Sequence, residues 1–532
     1  MRRSRSFAGP SIRLAAGLLV LAAGTWAGAG TASGAPGGTP ATSWTVYHAS
    51  PAGTGVAPPV TSVNTANRAW TSPGLDGDIY GEPLIWAGRV YVATEDDTVY
   101  ALSAATGAVA WSAHLATPVP AGALPCGDIQ PTVGITGTPV IDPARGEIFV
   151  VADEFTRGRP AHVLFGLNAA TGRTEMSRKV DPAGADPAAL LQRTGLTLDA
   201  GQVVFAMGGN FGDCASYRGR VVAVPEAGGT PRMFTVDAAP GQSQGAIWMG
   251  GAAPVVNGAD DVLVSVGNGS VHSPSQPYDN SDSLLELSPA LQRVQFFAPG
   301  TWAQDNAQDL DMSMAPVLLP SGQVILAGKS RIVYLLDGAH LGGIGHQQAT
   351  LPAACSEDID GGIALSGMTV YLPCRTGLVA IRASASPPAL RRLWTSGTAG
   401  GPPILAAGLV WTIGQDGVLY GLDPATGQVR QHASIGTVAN HFPSPSVADG
   451  LMLAPAARTV VAFTASGPAA APGTSGTPAA PAPAPGHTGH AAPPAAGGGL
   501  PAGAIAGIVA GGVVVIASIG WLLWRRRAIG HN

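Results

Sequence analysis

Between Trp44 and Ser466 the apolar residues fall in short runs bounded by Gly, Pro, Asn, Asp and Thr. The runs are too short for helices and carry no 3.6-residue spacing, so they are read as strands. One phrase recurs: Val99-Tyr100-Ala101-Leu102-Ser103-Ala104-Ala105-Thr106-Gly107, then Leu164-Phe165-Gly166-Leu167-Asn168-Ala169-Ala170-Thr171-Gly172, then Leu419-Tyr420-Gly421-Leu422-Asp423-Pro424-Ala425-Thr426-Gly427. Weaker copies begin at Val221, Leu284, Val333, Leu378 and Val460, which makes eight. In the strong copies Thr-Gly supplies a tight turn, because glycine takes a positive φ without steric cost. Two further strands precede most copies, as in Gly81-Glu82-Pro83-Leu84-Ile85 with Arg89-Val90-Tyr91-Val92. A period of about 40 to 45 residues with three or four short strands predicts an all-β, eight-bladed β-propeller over residues 40–466. The ring must close to leave no open edges. The last copy ends near Thr464, so Trp44–His48 or the strand near Arg68-Ala69-Trp70 is expected to complete the eighth blade.

The ends of the chain read differently. Arg2, Arg3, Arg5 and Arg13 precede the apolar run Leu14–Ala23 and small residues, the layout of a signal peptide over residues 1–35. Residues 467–499 are a Pro, Ala, Gly and Thr-rich linker that cannot build a core. Ala502–Trp524 is uncharged and runs straight into Arg525, Arg526 and Arg527. That pattern predicts a transmembrane helix at 502–524 with a cytoplasmic tail at 525–532. The expected location is therefore the cell membrane, single-pass, with the N-terminal domain extracellular.

Composition sharpens this picture in two places. Charged residues are only 11% of the chain and the net charge is -5, with no basic stripe, which excludes a nucleic-acid binder. The 4 cysteines, Cys126, Cys214, Cys355 and Cys374, are an even number in an exported chain, so two disulfides are expected. Three pairings are possible; Cys355 with Cys374 is favoured because both fall in one repeat, and Cys126 with Cys214 follows.

The phrase of Tyr, Ala, Leu and Thr-Gly, followed by a Trp such as Trp111, resembles the repeat of the pyrroloquinoline-quinone (PQQ) type propellers. That family holds both quinoprotein alcohol dehydrogenases and a cofactor-free scaffold of outer-membrane assembly, so the resemblance implies fold before function. On its dehydrogenase side it implies a quinone stacked on Trp248, a calcium-ligating Asn268, a catalytic and metal-contacting Asp311, and Lys329 as the cation beside the quinone. The vicinal Cys-Cys and the Cys-x-x-Cys-His of such enzymes are absent, and the first blade reads Ala93-Thr94-Glu95-Asp96-Asp97 where the vicinal pair would be expected. Residues just ahead of innermost strands line the axial mouth of a propeller, which marks Tyr80, Glu82, Thr132, Trp248, Asp311, Asp358, Asp360 and His441. The function expected from the sequence is a membrane-anchored binding or interaction module, monomeric and without cofactor, whose partner is a cell-envelope protein or small ligand. The alternatives are a PQQ- and calcium-dependent alcohol or sugar dehydrogenase and a cell-envelope assembly scaffold.

Overall fold

Each recurring apolar phrase forms the third strand of a small antiparallel sheet, and the two strands ahead of it form the inner pair. Blade 1 runs through Leu84–Trp86, Arg89–Ala93, Thr98–Ser103 and Val109–His114 in simple up-and-down order. Seven more sheets carry the same up-and-down core, with innermost strands that begin at Val140, Thr197, Val255, Val317, Ala364, Ile404 and Ser446. This is the expected all-β, eight-bladed propeller. The computed structural model describes residues 42–467 apart from 399 and 441. The signal peptide, most of the linker, the spanning helix and the tail expected from the sequence lie outside those residues. Among the described residues no helix is long and apolar enough to cross a membrane.

The Thr-Gly turns do more than reverse the chain. Gly107, Gly172 and Gly427 have φ near +72°, and a Cβ on them would stand 2.5, 2.6 and 2.5 Å from the six-membered rings of Trp70, Trp111 and Trp394. Each Trp lies on the outer strand of the preceding blade. Its indole N–H donates to a carbonyl three residues before the glycine: Ala104 at 2.8 Å, Ala169 at 3.1 Å and Pro424 at 2.9 Å. The repeat phrase is thus a docking device between neighbouring blades. Gly172→Ala is expected to cost about 2–4 kcal/mol, from a positive φ plus a ring collision. Gly88→Ala, at φ 72° with nothing near its Cβ, is expected to cost only about 1 kcal/mol. Thermal unfolding of the two variants checks the difference.

Ring closure uses the second of the two expected segments. Ser62–Thr71 pairs antiparallel with Thr459–Ser466, from Ser62 opposite Ser466 to Thr71 opposite Val461, with irregular register between Asn64 and Trp70. Trp44–His48 does not form that outer strand. It begins a strap that crosses the ring axis, because its backbone groups match those left free on the innermost strands. Trp44 exchanges two hydrogen bonds with Ile85 of blade 1, Thr45 accepts from Ile141 of blade 2, and Pro51 accepts from Val256 of blade 4. Thr54 and Gly55 then accept from Leu365 and Leu405 of blades 6 and 7.

The strap buries Tyr47 and His48 on the axis. Their rings stack at 4.1 Å, and the Gly362 N–H donates to the Tyr47 hydroxyl. His48 Nδ1 donates to the Ile363 carbonyl at 2.9 Å, which leaves Nε2 to accept from Ser444 Oγ at 3.1 Å. Burial holds the imidazole neutral, with its pKa pushed down to about 3. Glu82, expected to face the axial mouth, is instead enclosed here and accepts from the His48 backbone N–H at 2.8 Å.

Candidate functional site

Two kinds of loop shape one face of the ring: lead-ins to innermost strands and turns that leave second strands. Asp311 lies in the lead-in to blade 5, and Lys329 follows that blade's second strand, Gln323–Leu326. Asn268 follows the second strand of blade 4, Val262–Val266, and Trp248 lies in that blade's lead-in. The fold brings Asp311, Lys329 and Asn268 together. Lys329 Nζ stands 2.5 Å from Asp311 Oδ2 and 3.1 Å from Asp309 Oδ2. The Asn268 backbone N–H donates to Asp311 Oδ1 at 2.6 Å, and its side-chain amide donates to Asp309 Oδ1 at 2.5 Å. Gly245 and Ala246, just ahead of Trp248, bond Asn268 and Gly267 through backbone groups. The indole N–H of Trp248 donates to the Gly209 carbonyl at 2.9 Å, which fixes the plane of a half-buried ring.

Crowding explains the glycine beside Asn268. A Cβ on Gly267 would lie 2.3 Å from Asp311 Oδ1, so the carboxylate is seated where only glycine leaves room. Burial pushes the Asp311 carboxyl upward, and the Lys329 ammonium and the Asn268 N–H pull it part of the way back. Burial also opposes the charge on Lys329, but Asp311 and Asp309 outweigh it and raise its pKa. The result is a close pair, with Asp311 enclosed and Lys329 partly exposed, in which the carboxyl is held above its ordinary pKa. Backbone strain gathers here, with positive φ at Met249, Asp309, Asp282 and Asp213.

A disulfide-tied loop lies beside the site. The expected disulfide between Cys126 and Cys214 is present and joins the loop after blade 1 to a loop of blade 3; Cys355 pairs with Cys374 as expected. Beside Cys214, the Tyr217 hydroxyl donates to Asp213 Oδ1 at 2.6 Å. Asp213 is close enough to feel the charges of Asp309 and Lys329. Phe211, on the same loop, is 67% exposed.

The family described as outer membrane protein assembly factor BamB matches residues 60–287. Polyvinylalcohol dehydrogenase of Sphingopyxis sp. (strain 113P3) is 26% identical over 434 residues, covering 68% of this chain. The chain spans 62% of that relative's length. Among solved structures, quinohemoprotein alcohol dehydrogenase from Comamonas testosteroni superposes with a TM-score of 0.59 at 16% identity, over 81% of this chain and 82% of that one. This chain is a PQQ-like β-propeller. A second such alcohol dehydrogenase, ADHIIG from Pseudomonas putida HK5, has the same fold, with a TM-score of 0.60 at 14% identity over 82% of each chain.

The donor set of this PQQ-like propeller fits a cation in one respect and limits it in another. Asn268 Oδ1 is buried without a hydrogen-bond partner, an oxygen free to ligate, and two carboxylates stand beside it. Among the described residues no three His, Cys, Asp or Glu side chains are arranged to hold a metal. Calcium takes six to eight oxygens, so a bound ion would draw the rest from the ligand itself.

The other residues marked in the sequence scatter. Thr132 belongs to a short hairpin of Val119–Pro120 with Thr132–Val133 and donates to Asp96 Oδ1 at 2.7 Å. Asp358 lies 3.8 Å from Arg375, and burial pushes Asp360 up to about 6. His441 lies outside the described residues. Across the axis the face holds Tyr80, Glu95 and Arg193, of which the sequence marks only Tyr80 as a site residue. Arg193 lies in the lead-in to blade 3, just ahead of the strand Thr197–Asp199. Its strand reads Gly195-Leu196-Thr197-Leu198-Asp199 and lacks the proline that flags most other lead-ins.

Glu95 gives this face a pH signature. Its Oε2 accepts from the Gly134 N–H at 2.8 Å and from Thr136 at 3.1 Å, but burial outweighs both and pushes the carboxyl up to about 8. Between its ordinary 4.5 and that value the folded chain keeps a proton that the unfolded chain has lost, so stability falls as pH rises through this window. Glu95→Gln is expected to show a smaller drop in melting temperature between about pH 5 and pH 8 than the parent chain. Equal drops would contradict the assignment.

Proposed function

We propose that the protein is a PQQ-dependent dehydrogenase that oxidises alcohol hydroxyl groups, displayed outside the cell on its C-terminal anchor. The observation that carries this reading is the meeting of Asp311, Lys329 and Asn268, three residues from separate loops of blades 4 and 5. The 26% identity to polyvinylalcohol dehydrogenase supports it. When bound, the quinone would accept two electrons and a calcium ion would polarise the oxygens around it.

The chain's own residues have distinct tasks in this reading. Asp311 takes the hydroxyl proton, because it is an ionised carboxylate whose pKa burial has raised. Lys329 keeps that carboxylate charged and then lies beside the ligand as a fixed positive charge. Trp248, its indole locked by Gly209, offers one ring face for stacking. Asn268 Oδ1 ligates the cation.

Incubating the purified full chain with PQQ and Ca²⁺ is expected to give a stoichiometric quinone absorbance and dye reduction with primary or secondary alcohols. Absence of both would overturn the dehydrogenase reading and favour a binding module or scaffold, the side of the family with which residues 60–287 match.

A further inference from the structure

His162 lies on the third strand of blade 2, Arg159–Asn168, with a carboxylate at each ring nitrogen. Nδ1 stands 2.7 Å from Asp181 Oδ1, and Nε2 stands 3.5 Å from Asp153 Oδ1. Asp153 sits directly opposite His162 on the neighbouring second strand. Asp181 begins the long lead-in to blade 3, and its carboxylate also accepts from the His162 backbone N–H at 3.2 Å. The imidazole is buried, and both Nε2 and Asp153 Oδ1 are sealed from water without a hydrogen-bond partner. A neutral imidazole donates from one nitrogen only, so only the protonated ring serves both carboxylates.

The surroundings favour that charge. Burial opposes it, but Asp153 and Asp181 outweigh burial, with help from the Leu190 backbone, and hold the ring above its ordinary 6.5. Among the described residues no Lys or Arg pairs with Asp153 or Asp181, so His162 is the cation these two carboxylates share. Burial pushes Asp153 up to about 6. From blade 1, Glu95 and Asp97 lie within electrostatic reach of Asp153, and burial pushes them up to about 8 and about 10, so both keep their protons at neutral pH. Loss of the imidazole proton leaves two carboxylates against a neutral ring that can bond only one of them. The charged ring is fully present below pH 6.5 and is lost as pH rises through the higher value of the folded chain.

The segment held by Asp181 reaches the site face. Its turn Pro187–Ala189 packs against the strand of His162, and Leu190–Leu191 pairs with Gly208–Gly209 of blade 3. The Gly209 carbonyl is the group that fixes the Trp248 indole. Leu191 packs with Val119, Ile129 and Val133 of the segment that the Cys126–Cys214 disulfide ties down.

We propose that His162 is a pH-sensitive latch: charged, it pins the lead-in of blade 3 to blade 2, and neutral, it lets that lead-in open and loosens the face around Trp248. The latch belongs to the fold, so it stands whether or not quinone chemistry occurs at Asp311.

The test is hydrogen exchange of the peptide spanning residues 180–196 in the full chain, read by mass spectrometry from about pH 6 to about pH 9 and corrected for the chemical exchange rate at each pH. Protection is expected to hold on the acid side and then to fall about tenfold or more as pH rises. His162→Gln is expected to show the lower protection at every pH, because it cannot carry the charge. Asp181→Asn keeps an oxygen for Nδ1 and removes one negative charge, so its fall is expected at lower pH than the parent's. Parent protection that does not change with pH, a fall that His162→Gln retains, or a His162→Gln chain as protected as the parent on the acid side would overturn the proposal. Should His162→Gln not fold, Asp181→Asn decides alone: a fall at lower pH supports the latch, and a fall at the parent's pH overturns it.

Discussion

Asp311→Asn is expected to lower dye-linked alcohol oxidation by about two to four orders of magnitude, with a lower melting temperature because Lys329 loses its closest carboxylate. The reason is local. Asn keeps an oxygen to accept the Asn268 N–H, now at 2.6 Å from Asp311 Oδ1, but it cannot take a proton from a hydroxyl. It also leaves Lys329 with Asp309 alone, 3.1 Å away. The measurement is steady-state dye reduction beside a binding titration on the same preparation. Oxidation within about tenfold of the parent would show that another group accepts the proton, since a lost general base costs more than that.

The second large effect concerns the ring. A chain that begins at Leu75 lacks both the strap and the closing strand Ser62–Thr71. It is expected to show no cooperative thermal transition. Without that strand the outer edge of Thr459–Ser466 is unpaired, Gly107 loses the Trp70 ring that covers it, and Glu82 loses the His48 N–H. Trp70→Ala alone is expected to cost roughly 3–5 kcal/mol. A sharp transition from the truncated chain at the parent's temperature would mean that the blades do not depend on closure.

What is legible in the sequence follows from where the physical constraint is local. The strand phrases and Thr-Gly turns are local, so the eight blades can be counted from the order of residues alone. The repeat also locates Trp111, though the reason Gly172 must lack a Cβ lies in the contact between two blades and emerges only in three dimensions. Two cysteines 19 residues apart in one repeat point to their own pairing, and the pair 88 residues apart follows. The strap Trp44–His48 has the pattern of an outer strand without forming one. Its bonds run from single backbone atoms to blades far away in sequence, and no side-chain pattern records them.

The site is half legible for a similar reason. Asp311, Lys329, Asn268 and Trp248 are marked by resemblance, and the fold gathers the first three. Glu95 and Arg193 stand outside that set because their significance is environmental. Nothing in Thr94-Glu95-Asp96 announces that one carboxyl will be enclosed with its pKa raised to about 8. Nothing in Gln192-Arg193-Thr194 announces a guanidinium sealed without an anion.

In the proposed dehydrogenase, Asn268 Oδ1 and the two neighbouring carboxylates would form an incomplete cation site that a quinone completes. Metal analysis after gel filtration of the full chain, with Ca²⁺ supplied in both arms and PQQ in only one, tests it directly. The expected result is about one calcium per chain retained with PQQ and almost none without it. Equal retention in both arms, or none in either, would contradict it.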